Sequence, residues 1–363
     1  MKISSLSPST KLLLSLGIVL LFTALFGANH ILGLQSEEPR RAIVSLEMVN
    51  SGNYVVPSIH GWSYYNKPPV FNWWMALYYK LFQSYDEWVV RIPSLVALLL
   101  SALLIFRIGR PYLRSGPALL AAAFLLSSAE ILFYGSILAG EIDLFFALLS
   151  ICQMLSIFWF FEKKKYLQLF IWSYFFAALG TLTKGPPSIA FQALTLLPWI
   201  LIHRRWTLLF SWKHFAGLGV YVLAVGGYFW LYSFYDDPLP FMVRLFKEAS
   251  QRSGAEHAFS DTLVGFLTFP LKMLAWMAPW SLFLVFLFKK KVWSDLWANP
   301  LLKFCLVALV FNLPIYALAA DIRPRYLYPL FPFFFLIIGH LFGLSFESLK
   351  KWKTTLLQIL GAR

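Results

Sequence analysis

Two adjacent acids, Glu37 and Glu38, are followed by Arg40 and Arg41 at the start of a polar stretch, residues 36–69. A carboxylate in a partly desolvated site at a membrane edge gains basicity and can take a proton from an alcohol. The arginines suit a phosphate or the second carboxylate. The alternative is an interfacial cap of exposed ion pairs that contributes little. Because two neighbouring acids rarely face one cavity from a helix, we expect only one to be catalytic.

Two lysines precede proline-containing turns, Lys67 in YNKPP and Lys184 in TKGPP. Proline fixes its own φ and restricts the residue before it, so the chain at these turns is stiff. A lysine presented in this way at a membrane edge can bind a lipid phosphate as a point charge. The alternative for Lys67 is an ordinary snorkelling lysine. TKGPP lacks the upstream glycine spacing of a nucleotide-binding P-loop.

Glu141 and Asp143 open an apolar run instead of lying within a long loop. Acids at that depth are costly unless they line a cavity or form a pair, so they predict a functional site. Glu130, in the preceding run, is expected to share that cavity or to mark its outer end. His257 is a lone histidine that belongs to no HxH or HExxH motif, so no metal site is predicted there.

Arg323 and Arg325 stand directly before the last apolar run, in DIRPRYLYP. Guanidinium groups suit bidentate recognition of phosphate. The alternative is an anchoring belt at the membrane interface, formed with Tyr326 and Tyr328.

The composition predicts an all-α integral membrane protein, because 59% of the 363 residues are hydrophobic and only 13% are charged. Cys152 and Cys305 lie inside apolar runs and are predicted to be core residues. Segments of membrane length give about ten spans. They lie at 12–34 (uncleaved), 89–108, 117–137, 144–161, 166–182, 188–202, 215–235, 264–288, 301–319 and 326–346. Residues 70–84 predict an amphipathic helix in the interface.

The charges sort between the two sides of these spans. One side receives Arg107, Arg110, Arg114, residues 163–165, Arg204, Arg205, Lys213, residues 289–291, Lys350, Lys351 and Lys353, and is predicted to be cytoplasmic. The opposite side receives residues 37–41, Lys67, Glu141, Asp143, Lys184, residues 236–261 and residues 321–325. The net charge of +14 is therefore attributed to cytoplasmic loops and not to nucleic-acid binding.

In their order and predicted topology, these motifs resemble the polyprenyl-phosphate-dependent GT-C glycosyltransferases, from about residue 33 to residue 346. The nearest branch contains the lipid A aminoarabinose transferase and the protein O-mannosyltransferases. The resemblance implies one GT-C-like transmembrane domain over residues 1–363, with residues 35–88 as a first extracytoplasmic loop carrying interfacial helices and with no separate soluble domain. It also implies a multi-pass protein of the cell inner membrane with an extracytoplasmic active site.

The resemblance also implies roles for single residues. Glu37 takes the position of the family's leading aspartate, and Asp143, or else Glu141, that of its next-loop acid. The implied ligands of the lipid phosphate are Lys67, Arg40, Lys184, Arg323 and Arg325, with weaker substrate contacts from Glu38, Arg252, His257 and Tyr326. Asn66 stands where some relatives have a metal-binding glutamate, so no cofactor is assigned and a divalent cation stays open.

The implied activity is transfer of a sugar from a polyprenyl-phosphate donor to a hydroxyl or phosphate of a lipid, glycan or protein acceptor, with inversion at the anomeric carbon. Two alternatives from other classes are a flippase for lipid-linked sugars and a noncatalytic membrane scaffold. A flippase predicts charges at mid-membrane and broken helices in matched halves. The charges of this sequence cluster at one face instead.

Overall fold

The computed structural model describes residues 16–17, 19–23, 26–27, 33–133, 139–251, 259–317 and 323–359. From residue 33 onward its elements are α1 (Glu38–Ser51), β1 (Ser58–Ile59), β2 (Trp62–Ser63), α2 (Val70–Phe82), α3 (Glu87–Leu113), α4 (Ser115–Leu126), α5 (Ala129–Phe133), α6 (Ile142–Glu162), α7 (Tyr166–Lys184), α8 (Pro187–Ile202), α9 (Trp212–Tyr232), α10 (Pro238–Gln251), α11 (Phe259–Trp276), α12 (Lys290–Ala298), α13 (Pro300–Ala317) and α14 (Phe331–Ile359). Three short 3₁₀ helices join them, at Trp206–Phe210, Trp280–Phe288 and Pro324–Leu327.

Five segments of the described chain are long and apolar enough to cross a membrane, so the protein is a multi-pass membrane protein. They are α3, the α4–α5 pair as Ser115–Phe133, α6, α7 and α9, and the bent pair α12–α13 could add a sixth. Apolar helices of this kind satisfy their own backbone hydrogen bonds, which lipid cannot do. The all-α membrane class is confirmed, whereas the predicted count of ten spans is not.

Two predicted spans differ from the observed elements. Residues 264–288 do not form one helix, because α11 ends at Trp276 and a separate 3₁₀ helix begins at Trp280. Pro279, in the break, cannot donate the backbone hydrogen bond that a continuous helix needs. The last helix begins at Phe331, after the 3₁₀ turn, and not at residue 326. The predicted first span lies largely outside the described residues.

Helix α6 lies at the centre of the bundle and packs against α3, α7 and α8. Of its most apolar stretch, 83% is buried inside the protein. A polar network crosses this packing at mid-helix. The Gln153 amide donates to the Gln192 side chain at 2.9 Å, and Gln192 donates to Ser173 Oγ at 2.9 Å. Ser188 completes the network by donating to Gln153 and to the Ala177 carbonyl. These buried groups are therefore hydrogen-bonded inside the protein.

The first loop is ordered around α1 and a small hairpin. Gly52, at φ +71, ends α1 in the left-handed region that glycine adopts without strain. The two strands pair antiparallel, and the Glu47 carboxylate accepts hydrogen bonds from Ser58 and from the backbone at the turn, His60 and Gly61. The predicted semi-polar helix over 70–84 is observed as α2.

The basic loops meet at the opposite end of the bundle from Glu141 and Lys184. The Asn299 amide donates to the Tyr112 carbonyl at 2.8 Å, which links the start of α13 to the end of α3. Lys303 approaches His203 at 3.4 Å, which links α13 to the end of α8. The start of α13 is therefore tied to both α3 and α8 at this end of the bundle.

Candidate functional site

The first turn of α6 and the last residue of α7 meet in a buried ion pair. Asp143 is 4% exposed, and the Lys184 ammonium group donates directly to its Oδ1. Lys184 ends α7 because Gly185 follows at φ +89, and Pro186 and Pro187 then begin α8. A cation at the C-terminal end of a helix is also favoured by the helix dipole. The TKGPP turn thus fixes Lys184 beside Asp143.

Aromatic rings enclose the Lys184 ammonium group. Its Nζ lies 5.2 Å from the centroid of the Phe146 ring and 4.8 Å from that of Tyr326, distances at which cation–π attraction operates. The side chain is only 7% exposed. In this structure, therefore, the ammonium group of Lys184 is already bound by the Asp143 carboxylate and in contact with two aromatic rings.

Arg325 joins the pair from the 3₁₀ turn Pro324–Leu327. Its Nη1 donates to Glu141 Oε2, and its Nε lies 3.8 Å from Asp143 Oδ2. That Nε is buried and has no hydrogen-bond acceptor among the described residues. Two acids and two cations therefore form one balanced cluster, which we call the rim cluster (Glu141, Asp143, Lys184 and Arg325). Burial raises the pKa of Glu141, and the Asp143 carboxylate raises it further, whereas Arg325 lowers it.

Glu38, for which the resemblance implied a weaker substrate contact, is buried in an ion pair. It is fully buried, and Arg91 of α3 binds it with two hydrogen bonds of 2.9 and 3.1 Å. The Gly140 N–H donates to the same carboxylate at 2.6 Å. This pair holds the start of α1 against the loop that leads to Glu141. Arg91 was not among the predicted site residues, although an arginine at the fifth position of a membrane-length helix is itself a signal of a buried pair or a functional site.

Gly140 allows this close packing, and its replacement should destabilise the protein. A Cβ atom at Gly140 would lie 2.6 Å from the Val90 carbonyl oxygen and 2.7 Å from Val90 Cγ1, so the backbone would have to move. We expect Gly140→Ala to lower the free energy of unfolding by about 1–3 kcal/mol, measured by denaturant unfolding in micelles. Gly219→Ala, in α9 with no atom within 4 Å of the added Cβ, is the control and should not destabilise. Equal losses in both variants would contradict this reading.

The other predicted residues of the first loop lie at its beginning and end. Glu37 precedes α1 with its side chain 36% exposed, and Arg40 donates to it at 2.6 Å. Lys67 is 7% exposed, just before α2. Phe71, in the first turn of α2, packs on Phe145 with ring centroids 5.8 Å apart. The Lys67 turn therefore precedes a helix that is anchored two residues beyond Asp143.

The remaining predicted residues fall into three groups. Tyr326 contacts the rim cluster through Lys184, and Arg323 is exposed beside it. Arg252 and His257 lie outside the described residues. Glu130 is buried and accepts a hydrogen bond of 3.0 Å from Tyr328, on the segment that carries Arg325. Within the described ranges, no three His, Cys, Asp or Glu side chains are arranged to hold a metal ion.

Comparison with known proteins agrees with this architecture. Residues 66–230 match the family model described as dolichyl-phosphate-mannose-protein mannosyltransferase. The undecaprenyl phosphate-alpha-4-amino-4-deoxy-L-arabinose arabinosyl transferase of Edwardsiella ictaluri is 32% identical over 216 residues, which cover 56% of this chain and 39% of that protein. The protein of the same name from Pseudomonas aeruginosa is 26% identical over 316 residues, covering 86% and 56% of the two chains.

Solved structures show the same fold over almost the whole chain. The crystal structure of ArnT from Cupriavidus metallidurans bound to undecaprenyl phosphate superposes with a TM-score of 0.75 at 21% identity, covering 95% of this chain and 62% of that one. Its apo structure gives a TM-score of 0.70 at 20% identity, covering 96% and 63%. The chain thus spans between about two fifths and two thirds of the length of these proteins. It has the GT-C membrane fold, and its sequence is similar to the polyprenyl-phosphate-dependent glycosyltransferases, as its motifs predicted.

Proposed function

We propose that this chain is a membrane glycosyltransferase that moves a sugar from a polyprenyl-phosphate donor to a lipid, glycan or protein acceptor at the outer face of the inner membrane. The observation that supports this most is the rim cluster, which places a buried guanidinium N–H without an acceptor among the described residues beside two carboxylates. An incoming phosphate oxygen would supply that acceptor. The fold shared with a protein crystallised with undecaprenyl phosphate supports the same class of donor.

The proposed reaction is a direct displacement at the anomeric carbon. The acceptor hydroxyl gives its proton to the Glu37 carboxylate as its oxygen bonds to that carbon, and the bond from the carbon to the phosphate oxygen breaks. The electron pair leaves with the lipid phosphate, which gains negative charge. Cations held near the leaving group offset this charge, an effect that is usually the largest single contribution to catalysis.

The geometry divides the predicted cations into two sets. Arg325 is 24% exposed, and its Nε–H has no hydrogen-bond acceptor among the described residues. We therefore assign Arg325, together with Lys67, to binding the phosphate. Lys184 is already bound by Asp143, so we assign it to holding that carboxylate in place. Arg40 and Arg323, both exposed, would contact the phosphate from its outer side. Apolar helices facing lipid would contact the polyprenyl tail.

A transfer assay with Glu37→Gln tests this proposal. Purified protein in liposomes would be given a panel of radiolabelled polyprenyl-phosphate sugars and a membrane extract, and new glycosides would be separated and counted. We expect transfer by the parent and a loss of about 10²–10⁴-fold in Glu37→Gln, which is the usual contribution of a general base. The fold should survive, because the Glu37–Arg40 pair is exposed and contributes little to stability.

Glu87→Gln is the matched control, since Glu87 is also an exposed glutamate at the start of a helix. It should transfer at the parent rate. Transfer that survives unchanged in Glu37→Gln would remove Glu37 from the mechanism. Movement of lipid-linked sugar across the liposome membrane without any new glycoside would favour a flippase instead, which the names of the relatives do not favour.

A further inference from the structure

The outer end of α9 docks on the first loop through one stripe of side chains. Tyr228, Tyr232 and Asp236 follow one another at four-residue spacing, which places them on one face of the helix and its extension. The Tyr228 hydroxyl donates to the Val55 carbonyl at 3.0 Å. The Tyr228 and Trp73 rings pack edge to face, with their centroids 6.3 Å apart. The loop that carries Lys67 is therefore fastened to α9.

Asp236 makes the most hydrogen bonds in this stripe. Its Oδ2 accepts hydrogen bonds from the hydroxyls of Ser63 at 2.6 Å, Tyr65 at 3.2 Å and Tyr232 at 3.3 Å. Bonds to an ionised carboxylate are roughly twice as strong as bonds between neutral groups. The hydrogen bond from Ser63 lowers the pKa of Asp236 even though burial opposes this, so the carboxylate stays ionised at neutral pH.

Aromatic packing surrounds the same junction. Phe241 of α10 is fully buried, and its ring centroid lies 6.0 Å from that of Tyr65, 5.6 Å from that of Tyr232 and 5.9 Å from that of Phe229. Tyr65 is thus held both at its hydroxyl group and at its ring. A side chain fixed at two points leaves the backbone beside it little freedom.

The held segment leads directly to the predicted phosphate ligand. Lys67 follows Tyr65 by two residues, and Pro68 and Pro69 stiffen the chain after it. Beyond the prolines, Phe71 packs on Phe145 near Asp143. The chain around Lys67 is therefore fixed on one side by Asp236 and on the other by α6, with the lysine 7% exposed between them.

We propose that Asp236 is a positioning residue for Lys67: by binding Ser63, Tyr65 and Tyr232 together, it holds the first loop so that Lys67 can bind the donor's phosphate. This inference rests on the proposed function, in which Lys67 is a phosphate ligand. Asp236 itself makes no contact with the reacting atoms. Its removal should therefore weaken donor binding without changing the chemical step.

The neighbouring Asp237 provides a matched control. It is exposed, and its carboxylate accepts the Leu239 N–H at 2.9 Å at the start of α10. Among the described residues, its carboxylate makes no hydrogen bond to the first loop. We expect Asp236→Asn to raise the KM for the polyprenyl-phosphate sugar about tenfold, with kcat within about twofold of the parent, the pattern of lost ground-state and transition-state binding. Asp237→Asn should change neither constant by more than about twofold. Asp236→Glu, which keeps the charge, should recover part of the affinity.

A second measurement does not depend on turnover. The rate at which an amine-reactive reagent labels Lys67, followed by mass spectrometry, should rise several-fold in Asp236→Asn and stay at the parent value in Asp237→Asn. The inference is overturned if Asp236→Asn leaves KM unchanged, if both variants raise it equally, or if kcat falls with the folded fraction while KM is constant. If the parent itself transfers no sugar, the proposed function fails, and Lys67 labelling that is unchanged in Asp236→Asn then overturns the inference independently.

Discussion

Asp143→Asn should lower sugar transfer by about 10²–10⁴-fold, the range for losing a positioned acid–base or electrostatic group. The asparagine keeps the shape of the side chain but removes the charge that binds Lys184 and faces Arg325. It also leaves Lys184 buried without its counter-ion, which by itself costs about 3–5 kcal/mol of stability. Transfer and denaturant unfolding of the purified variant would be measured in the same micelles.

A double-mutant cycle separates these two effects. Lys184→Met in the Asp143→Asn background removes the orphaned charge, so stability should return towards that of the parent. Transfer should stay low if the Asp143 carboxylate acts on the reaction. Recovery of transfer together with stability would show that Asp143 serves only to neutralise Lys184, and transfer within about twofold of the parent in the single variant would contradict a role for Asp143 altogether.

Arg91→Met should lower the free energy of unfolding by about 3–5 kcal/mol, the usual cost of breaking a buried ion pair from one side. Arg91 and Glu38 are 1% and 0% exposed at their side chains, and Arg91 also donates to the Gly33 carbonyl at 3.0 Å. Methionine fills similar space but leaves the buried Glu38 carboxylate without its counter-ion. Unfolding by denaturant in micelles gives the difference.

Arg107→Met, in the same helix, is the matched control. Arg107 is exposed near the other end of α3, so the same chemical change there should alter stability by less than about 0.5 kcal/mol. Adding Glu38→Gln to Arg91→Met should restore part of the loss, because the remaining partner then carries no charge. A loss in Arg91→Met no larger than that in Arg107→Met would mean that the pair does not anchor the first loop.

The rim cluster shows what the sequence could predict. Glu141 and Asp143 open a helix, Lys184 closes one, and Arg325 precedes one, and all four were sorted to the same side by apolarity and charge alone. Helices of an antiparallel bundle bring such ends together, so their shared position follows from topology. Which acid takes which cation does not follow, since this depends on side-chain reach and on the turn at Pro324–Leu327.

In the first loop, neither the burial of single side chains nor their distant partners can be predicted from the sequence. Glu37 and Glu38 are chemically the same and adjacent, and only the start of α1 decides that Glu38 is buried while Glu37 is half-exposed. The partner of Glu38, Arg91, is 53 residues away, and Ser63 and Tyr65, the first-loop partners of Asp236, are more than 170 residues away from it. Contacts at such separation leave no local pattern. The helix break before Trp280 does have a local signal, Pro279, but the continuous apolar sequence around it predicts a single span.

The amide network of Gln153 and Gln192 has a consequence for the protein in bilayers of different thickness. A helix bundle answers a thinner or thicker bilayer by tilting or by sliding one helix past another. Because the glutamines and serines tie α6, α7 and α8 together at mid-depth, these three helices should lean as one body. The distance from the start of α6 to the end of α7, on which the Asp143–Lys184 contact depends, would then be the same whichever lipids surround the protein.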